Sequence, residues 1–213
     1  QLLRVDEEVD EDINADETQQ LITLISYILH HDRIDVIIFE DYNKGLINPK
    51  LISKVVELAK QKSIPTCVDP KNKNFNAYKG VSLFKPNLKE LREGIKQDIS
   101  GDNINELQRA VSSYRVKQKI DTVLVTLAEK GVITNSRKVK EHLSAHIRSI
   151  ADVSGAGDTV ISVASLCRAM ECDDILTAAI ANLSGGLVCE QIGVVPVNKE
   201  QLLEEALNLD FVK

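Results

Sequence analysis

No stretch of this chain stays apolar for the ~18–20 residues that a membrane-spanning helix needs, and no signal peptide is recognisable. A cytoplasmic location is therefore expected. Positive charge is in deficit: 26 Lys and Arg face 32 Asp and Glu, for a net charge of −6. Nothing electrostatic draws such a protein to nucleic acid or to an anionic membrane. The four cysteines, Cys67, Cys167, Cys172 and Cys189, form no C-x-x-C pair. Cys167 and Cys189 fall in apolar helical patterns, so they read as buried reduced thiols, not disulfides or zinc ligands. There is no G-x-x-x-x-G-K-S/T phosphate loop, no internal repeat and no low-complexity tract. Nor is there an initial Met: the chain opens on Gln1 and runs into an extended-looking Leu2-Leu3-Arg4-Val5, which reads as an internal segment of something longer. At 213 residues the chain has room for one substantial domain.

What is present alternates between short apolar runs and amphipathic stretches. Residues 1–5 read as a short strand and Asp6 to Asp16 as an acidic, solvated link. Asp16 is placed to cap a helix running to about His31, with Leu21, Leu24, Ile25 and Ile28 on one face. Ile34 to Phe39 has the continuous apolarity of a strand buried on both faces. Pro49 in first position starts a helix to about Lys62. Further strands are expected at Ile64 to Val68, Val81 to Phe84 and Thr122 to Thr126, with a helix from about Ile104 to Lys119. Val132 to Thr134 and roughly Val139 to Ile147 read as antiparallel edge strands. Asp173-Asp174 begins an apolar helix closing near Gly193, and Gln201 to Leu207 forms a last amphipathic one. Strands alternating with helices predict a mostly parallel sheet covered on both faces, an α/β fold. Polar residues follow successive strands at Asp41, Asp69, Asn87 and Thr126. In such a sheet they gather along the carboxyl edge, where ligands bind.

The chain is organised around Asp152-Val153-Ser154-Gly155-Ala156-Gly157-Asp158-Thr159 and the apolar run that follows it. Two glycines flanking a small residue allow a sharp turn and close approach of another molecule. A helix then starts, presenting unpaired N–H groups and the positive end of its dipole, a setting that suits a phosphate. Asp158 in the first turn would repel that phosphate unless it had another task. The task inferred is to accept a proton from a hydroxyl attacking phosphorus, while the amides of Gly155, Ala156 and Gly157 stabilise the transferred charge. The alternative is a plain helix start, with Asp158 merely favourable to the dipole. Two readings are also open at Lys85-Pro86-Asn87-Leu88-Lys89-Glu90: Asn87 and Glu90 have the spacing of a capping box, or they serve a ligand.

Together these blocks resemble the ribokinase-like (pfkB-type) carbohydrate kinases, in order, from about Gln1 to Val197. The resemblance implies that Asp158 is the catalytic base and that Asn87 and Glu90 belong to the family's N-x-x-E motif, organising magnesium and nucleotide phosphates. Thr126-Leu127-Ala128-Glu129-Lys130-Gly131 is similar to the T-x-G-x-x-G nucleotide loop, with Ala128 in place of the middle glycine. Thr126, Glu129 and Gly131 would then contact ATP, and Asn182 would lie near the adenine. Asp152 and Ser154 match positions that hold a monovalent cation, such as potassium, in some members.

Within the family, Glu40-Asp41-Tyr42-Asn43-Lys44-Gly45, Val68-Asp69-Pro70-Lys71 and the central motif look most like the kinase domain of the bacterial heptose kinases. Those enzymes phosphorylate D-glycero-β-D-manno-heptose 7-phosphate at O1, feeding ADP-heptose synthesis for lipopolysaccharide. Asp41 and Lys44 would then be substrate contacts. The resemblance further implies one ribokinase-like domain over residues 1–213, its carboxy-terminal, nucleotide-binding portion, with the amino-terminal part of the fold missing. A homodimer in the full-length protein is expected. The alternatives are another sugar or nucleoside kinase of the same family, or a nucleotide-binding module without turnover.

Overall fold

The computed structural model describes residues 11–146 and 148–208. The expected strand at residues 1–5, and Ile147 at the end of the second edge strand, lie outside that range. Among the described residues, six strands form one sheet in sequence order: β1 (Ile37–Glu40), β2 (Thr66–Asp69), β3 (Leu83–Phe84), β4 (Thr122–Thr126), β5 (Val132–Asn135) and β6 (Lys140–Leu143). The first four run parallel and the last two antiparallel, as expected.

Alternation along the strands sorts the core into two layers. Phe39, Val68, Phe84, Val123, Val125 and Ile133 face one cluster. It is covered by α1 (Ala15–His31), α2 (Pro49–Gln61), α3 (Leu88–Ile95) and α4 (Ile104–Gln118). Cys67, Leu83, Leu124 and Val132 face the other way, onto α5 (Ala156–Ala169) and α6 (Asp174–Cys189), with α7 (Lys199–Ala206) packed on α6. A ring of aromatics, Phe75, Phe84 and Tyr114, anchors the first layer, and the Tyr114 hydroxyl donates to the Phe75 carbonyl at 2.9 Å.

Helix starts follow local chemistry. Asn48 caps α2 ahead of Pro49, Asp173 caps α6, and Asn87 with Glu90 forms a complete capping box on α3. At α1 the cap is Asn14, not the expected Asp16, because Glu17 sits three residues on and returns a hydrogen bond to the Asn14 amide. α6 ends at Cys189, short of Gly193. α5 differs from all of these: its N-cap is Gly155, at φ +79°, with no side chain capping it. Among the described residues no side chain caps this end, and the Ala156 amide donates to the Val153 carbonyl at 3.3 Å.

Candidate active site

The parallel strands deliver their last residues to one edge, with Glu40 opposite Asp69 in register. Beyond β3 the chain continues into Lys85, whose side chain is only 3% exposed and whose ammonium pairs with Asp69 Oδ2 at 3.0 Å. Asn87 and Thr126 form a parallel bridge that draws the turn after β4 against the start of α3. Over this edge stands the N-terminus of α5. A Cβ placed on Gly157 would lie 3.7 Å from Lys85 Nζ and 3.9 Å from Asp69 Oδ2. Gly157 therefore lies against the Lys85–Asp69 pair, with Asp158 beside it, although Asp69 and Asp158 are far apart in sequence.

Three carboxylates meet here. Glu40, Asp69 and Asp158 each offer an oxygen within 4.8 Å of the others. Burial, then the charge of Asp69, then that of Asp158, push the Glu40 carboxyl up to about 7. Burial raises Asp69 too, outweighing the pull of Lys85 and Lys71. Asp69 Oδ1 is buried with no hydrogen-bond partner among the described residues. Hard oxygen donors of this kind suit magnesium, and the orphaned Asp69 oxygen is the one the protein itself leaves uncommitted. Lys71 makes a short ion pair with Glu90. Burial alone would lower its basicity, but Glu90 and Asp69 hold its ammonium above the usual range.

Of the residues singled out from sequence, Gly155, Ala156, Gly157 and Asp158 lie together at the start of α5. Asn87 and Glu90 share the capping box, with Glu90 Oε2 accepting the Asn87 amide at 2.8 Å and Oε1 accepting Lys71. Thr126, Glu129 and Gly131 form the adjoining turn, closed by the Leu127 amide donating to the Gly131 carbonyl at 2.8 Å. Ala128 adopts φ +52°, the left-handed conformation that a glycine takes readily. Asn182, on α6, donates to the Ser144 carbonyl at 2.9 Å. Asp152 accepts the Ser154 amide and hydroxyl and, through its other oxygen, the Gly193 amide at 3.1 Å. Those donors, the Ser154 amide first, hold its carboxyl below the usual range.

Asp41 differs from the expectation of a substrate contact. It is 3% exposed, and its oxygens accept the Asn43 amide, the Asn74 side chain and the Tyr78 hydroxyl. Both oxygens are engaged inside the protein. Lys44 stands exposed on the same loop. The flanking Glu40 and Tyr42, which sequence reasoning passed over, face Asp158 instead. Tyr42 donates its hydroxyl to Asp158 Oδ1 at 3.3 Å. The missed signal is alternation: two residues apart at a strand end share a side, and the residue between them takes the other. Lys85 was missed as well, though a lysine directly after a buried strand marks the same edge.

Known proteins resemble this chain in sequence and in fold. Bifunctional protein HldE of Koribacter versatilis is 36% identical over 204 residues, covering 95% of this chain and 41% of that protein. The protein of the same name from Campylobacter jejuni is 32% identical over 214 residues, covering 100% of this chain and 44% of its own length. The chain thus spans about two fifths of the curated relatives it matches. Among solved structures, phosphofructokinase-2 from Escherichia coli in complex with potassium superposes with a TM-score of 0.81 at 16% identity, over 92% of this chain and 63% of that one. Ribokinase from Arabidopsis thaliana, complexed with ribose and ATP, gives 0.68 at 16% identity, over 94% and 61%. These two show a shared ribokinase-like α/β fold. The pfkB carbohydrate kinase model matches residues 11–201, from α1 through the strand-end acids, the glycine turn and Asp158 into α7, and by that match the chain belongs to the pfkB family of carbohydrate kinases.

Proposed function

We propose that this chain is the nucleotide-side portion of an ATP-dependent sugar-phosphate kinase, acting on D-glycero-β-D-manno-heptose 7-phosphate at O1. The observation that carries the reading is the placement of Asp158, in the first turn of an uncapped helix, over a buried lysine and beside two further carboxylates. The acceptor hydroxyl gives its proton to Asp158 as its oxygen bonds to the γ-phosphorus. The bond from that phosphorus to the β–γ bridging oxygen breaks, and ADP leaves. The amides of the Gly155–Gly157 turn and the ammonium of Lys85 stabilise charge on the phosphoryl oxygens. Asn87, Thr126, Glu129, Gly131 and Asn182 are the proposed nucleotide contacts. Asp69 and Glu90, with Glu40 beside them, would hold magnesium, which when bound neutralises phosphate charge. Asp152 and Ser154 are the proposed monovalent-cation pair.

The heptose assignment is supported by the Glu40–Gly45 and Val68–Lys71 blocks and by relatives named HldE. No helix among the described residues is long and apolar enough to cross a membrane, which fits small-molecule substrates in solution. The test is a panel of sugars and sugar phosphates offered with ATP and magnesium to the protein from its complete reading frame. Transfer fastest to heptose 7-phosphate is expected. Faster transfer to another sugar or a nucleoside would keep the kinase and overturn the substrate, and no ATP-dependent transfer to any acceptor would overturn both.

A further inference from the structure

Tyr42 stands on the loop leaving β1 and is 55% exposed. An exposed tyrosine needs no hydrogen bond for its hydroxyl, because water serves. Yet this hydroxyl reaches across 116 positions of sequence to Asp158 Oδ1, at 3.3 Å. The reach has a structural cause. Asp41, just before it, is fixed inside the protein by Asn74 and Tyr78, and Asn43, just after it, is held at φ +57° with its amide on Asp41 Oδ1. The backbone on either side of Tyr42 is therefore immobilised, and strand alternation turns its side chain toward α5.

We infer that Tyr42 is a positioning residue for the base: its hydroxyl holds Asp158 Oδ1 and thereby assigns the incoming proton to Oδ2. This rests on the reading of Asp158 as the base. A carboxylate at a helix start can rotate about its side-chain torsions, and only some of its orientations aim a lone pair at an acceptor hydroxyl. One fixed donor on the distal oxygen selects among them before substrate arrives. A tyrosine hydroxyl is protonated at neutral pH and so serves as a donor. Hydrogen bonds at catalytic carboxylates are often long without substrate and tighten in the complex, which accords with a 3.3 Å separation.

The test is Tyr42→Phe in the full-length protein, beside Asp158→Asn, with turnover, KM for ATP and melting temperature measured for each. Phe keeps the ring and removes only the donor. The expected result is a loss of roughly tenfold or more in kcat, with KM for ATP within about twofold of wild type and an unchanged melting temperature. Unchanged kcat in Tyr42→Phe overturns the inference. So does a loss that appears as raised KM or lowered melting temperature, which would make Tyr42 a binding or structural residue. Retention of wild-type turnover by Asp158→Asn removes the base and, with it, the role given to Tyr42. Because that outcome is read on a different variant, the two failures are told apart.

Discussion

Glu40 shows how burial and neighbours redefine one side chain. Its carboxyl is pushed from 4.5 to about 7 by burial, then Asp69, then Asp158. The folded protein therefore holds this proton more tightly than the unfolded chain does. Between about pH 4.5 and 7 unfolding releases a proton, so stability falls as pH rises through that window and this group adds no further slope above it. In chelator-treated protein, Glu40→Gln is expected to flatten the melting-temperature profile over this range and to exceed wild type near pH 8. Thermal melts at stepped pH check this; parallel profiles for the two proteins would contradict it. Asp69 shifts in the same direction and stays in both, so the difference isolates Glu40. The sequence directed attention to Asp41, one residue away. Alternation at the strand end puts the two acids on opposite sides, and Asn74 and Tyr78, more than thirty residues downstream, take up the one that turns inward.

At the scale of elements, turns and caps were the most legible features, since their chemistry is local. Asn48-Pro49, Asn87 with Glu90, and Asp173 start helices where their side chains demand it. The cap on α1 shifted by two residues because Glu17 completes a reciprocal pair with Asn14. Strand lengths were less legible: β3 keeps only Leu83 and Phe84, since pairing on both sides, not the apolar run, defines its ends. The turn after β4 yields a prediction of its own. Gly131 sits at φ +86°, and a Cβ there would lie 2.0 Å from the Leu143 carbonyl oxygen and 2.5 Å from the Ala145 amide nitrogen. Both are backbone atoms, one at the end of β6 and one just beyond it, so little can give way. Gly131→Ala is expected to cost about 3 kcal/mol, the upper part of the range for single substitutions. In a domain of this size that corresponds to a fall of roughly 6–12 °C in melting temperature, read by calorimetry. A shift within a degree would show that the turn does not depend on this backbone conformation.

For the whole molecule, the central claim is that two distant parts of the chain make one site. The strands β1 to β3 bring Glu40, Asp69 and Lys85 to an edge, and α5, more than seventy residues later, sets Asp158 over them. The sheet's parallel order made that edge readable from sequence, and the D-V-S-G-A-G-D-T motif made the helix start readable. Alternation groups Glu40 with Tyr42 against Asp41, but which of the two sides turns toward Asp158 was not readable, because that depends on packing across the two layers. β1 ends the sheet among the described residues, with Ile38 partly exposed beside it, so this flank is open to further strands. The most direct measurement is phosphoryl transfer by Asp158→Asn in the full-length protein, together with its ATP affinity. ATP binding within a few-fold of wild type, with turnover lowered by ~10²–10⁴-fold, is the expected result. Turnover within a few-fold of wild type would contradict the account and leave Asp158 as an ordinary helix-start residue.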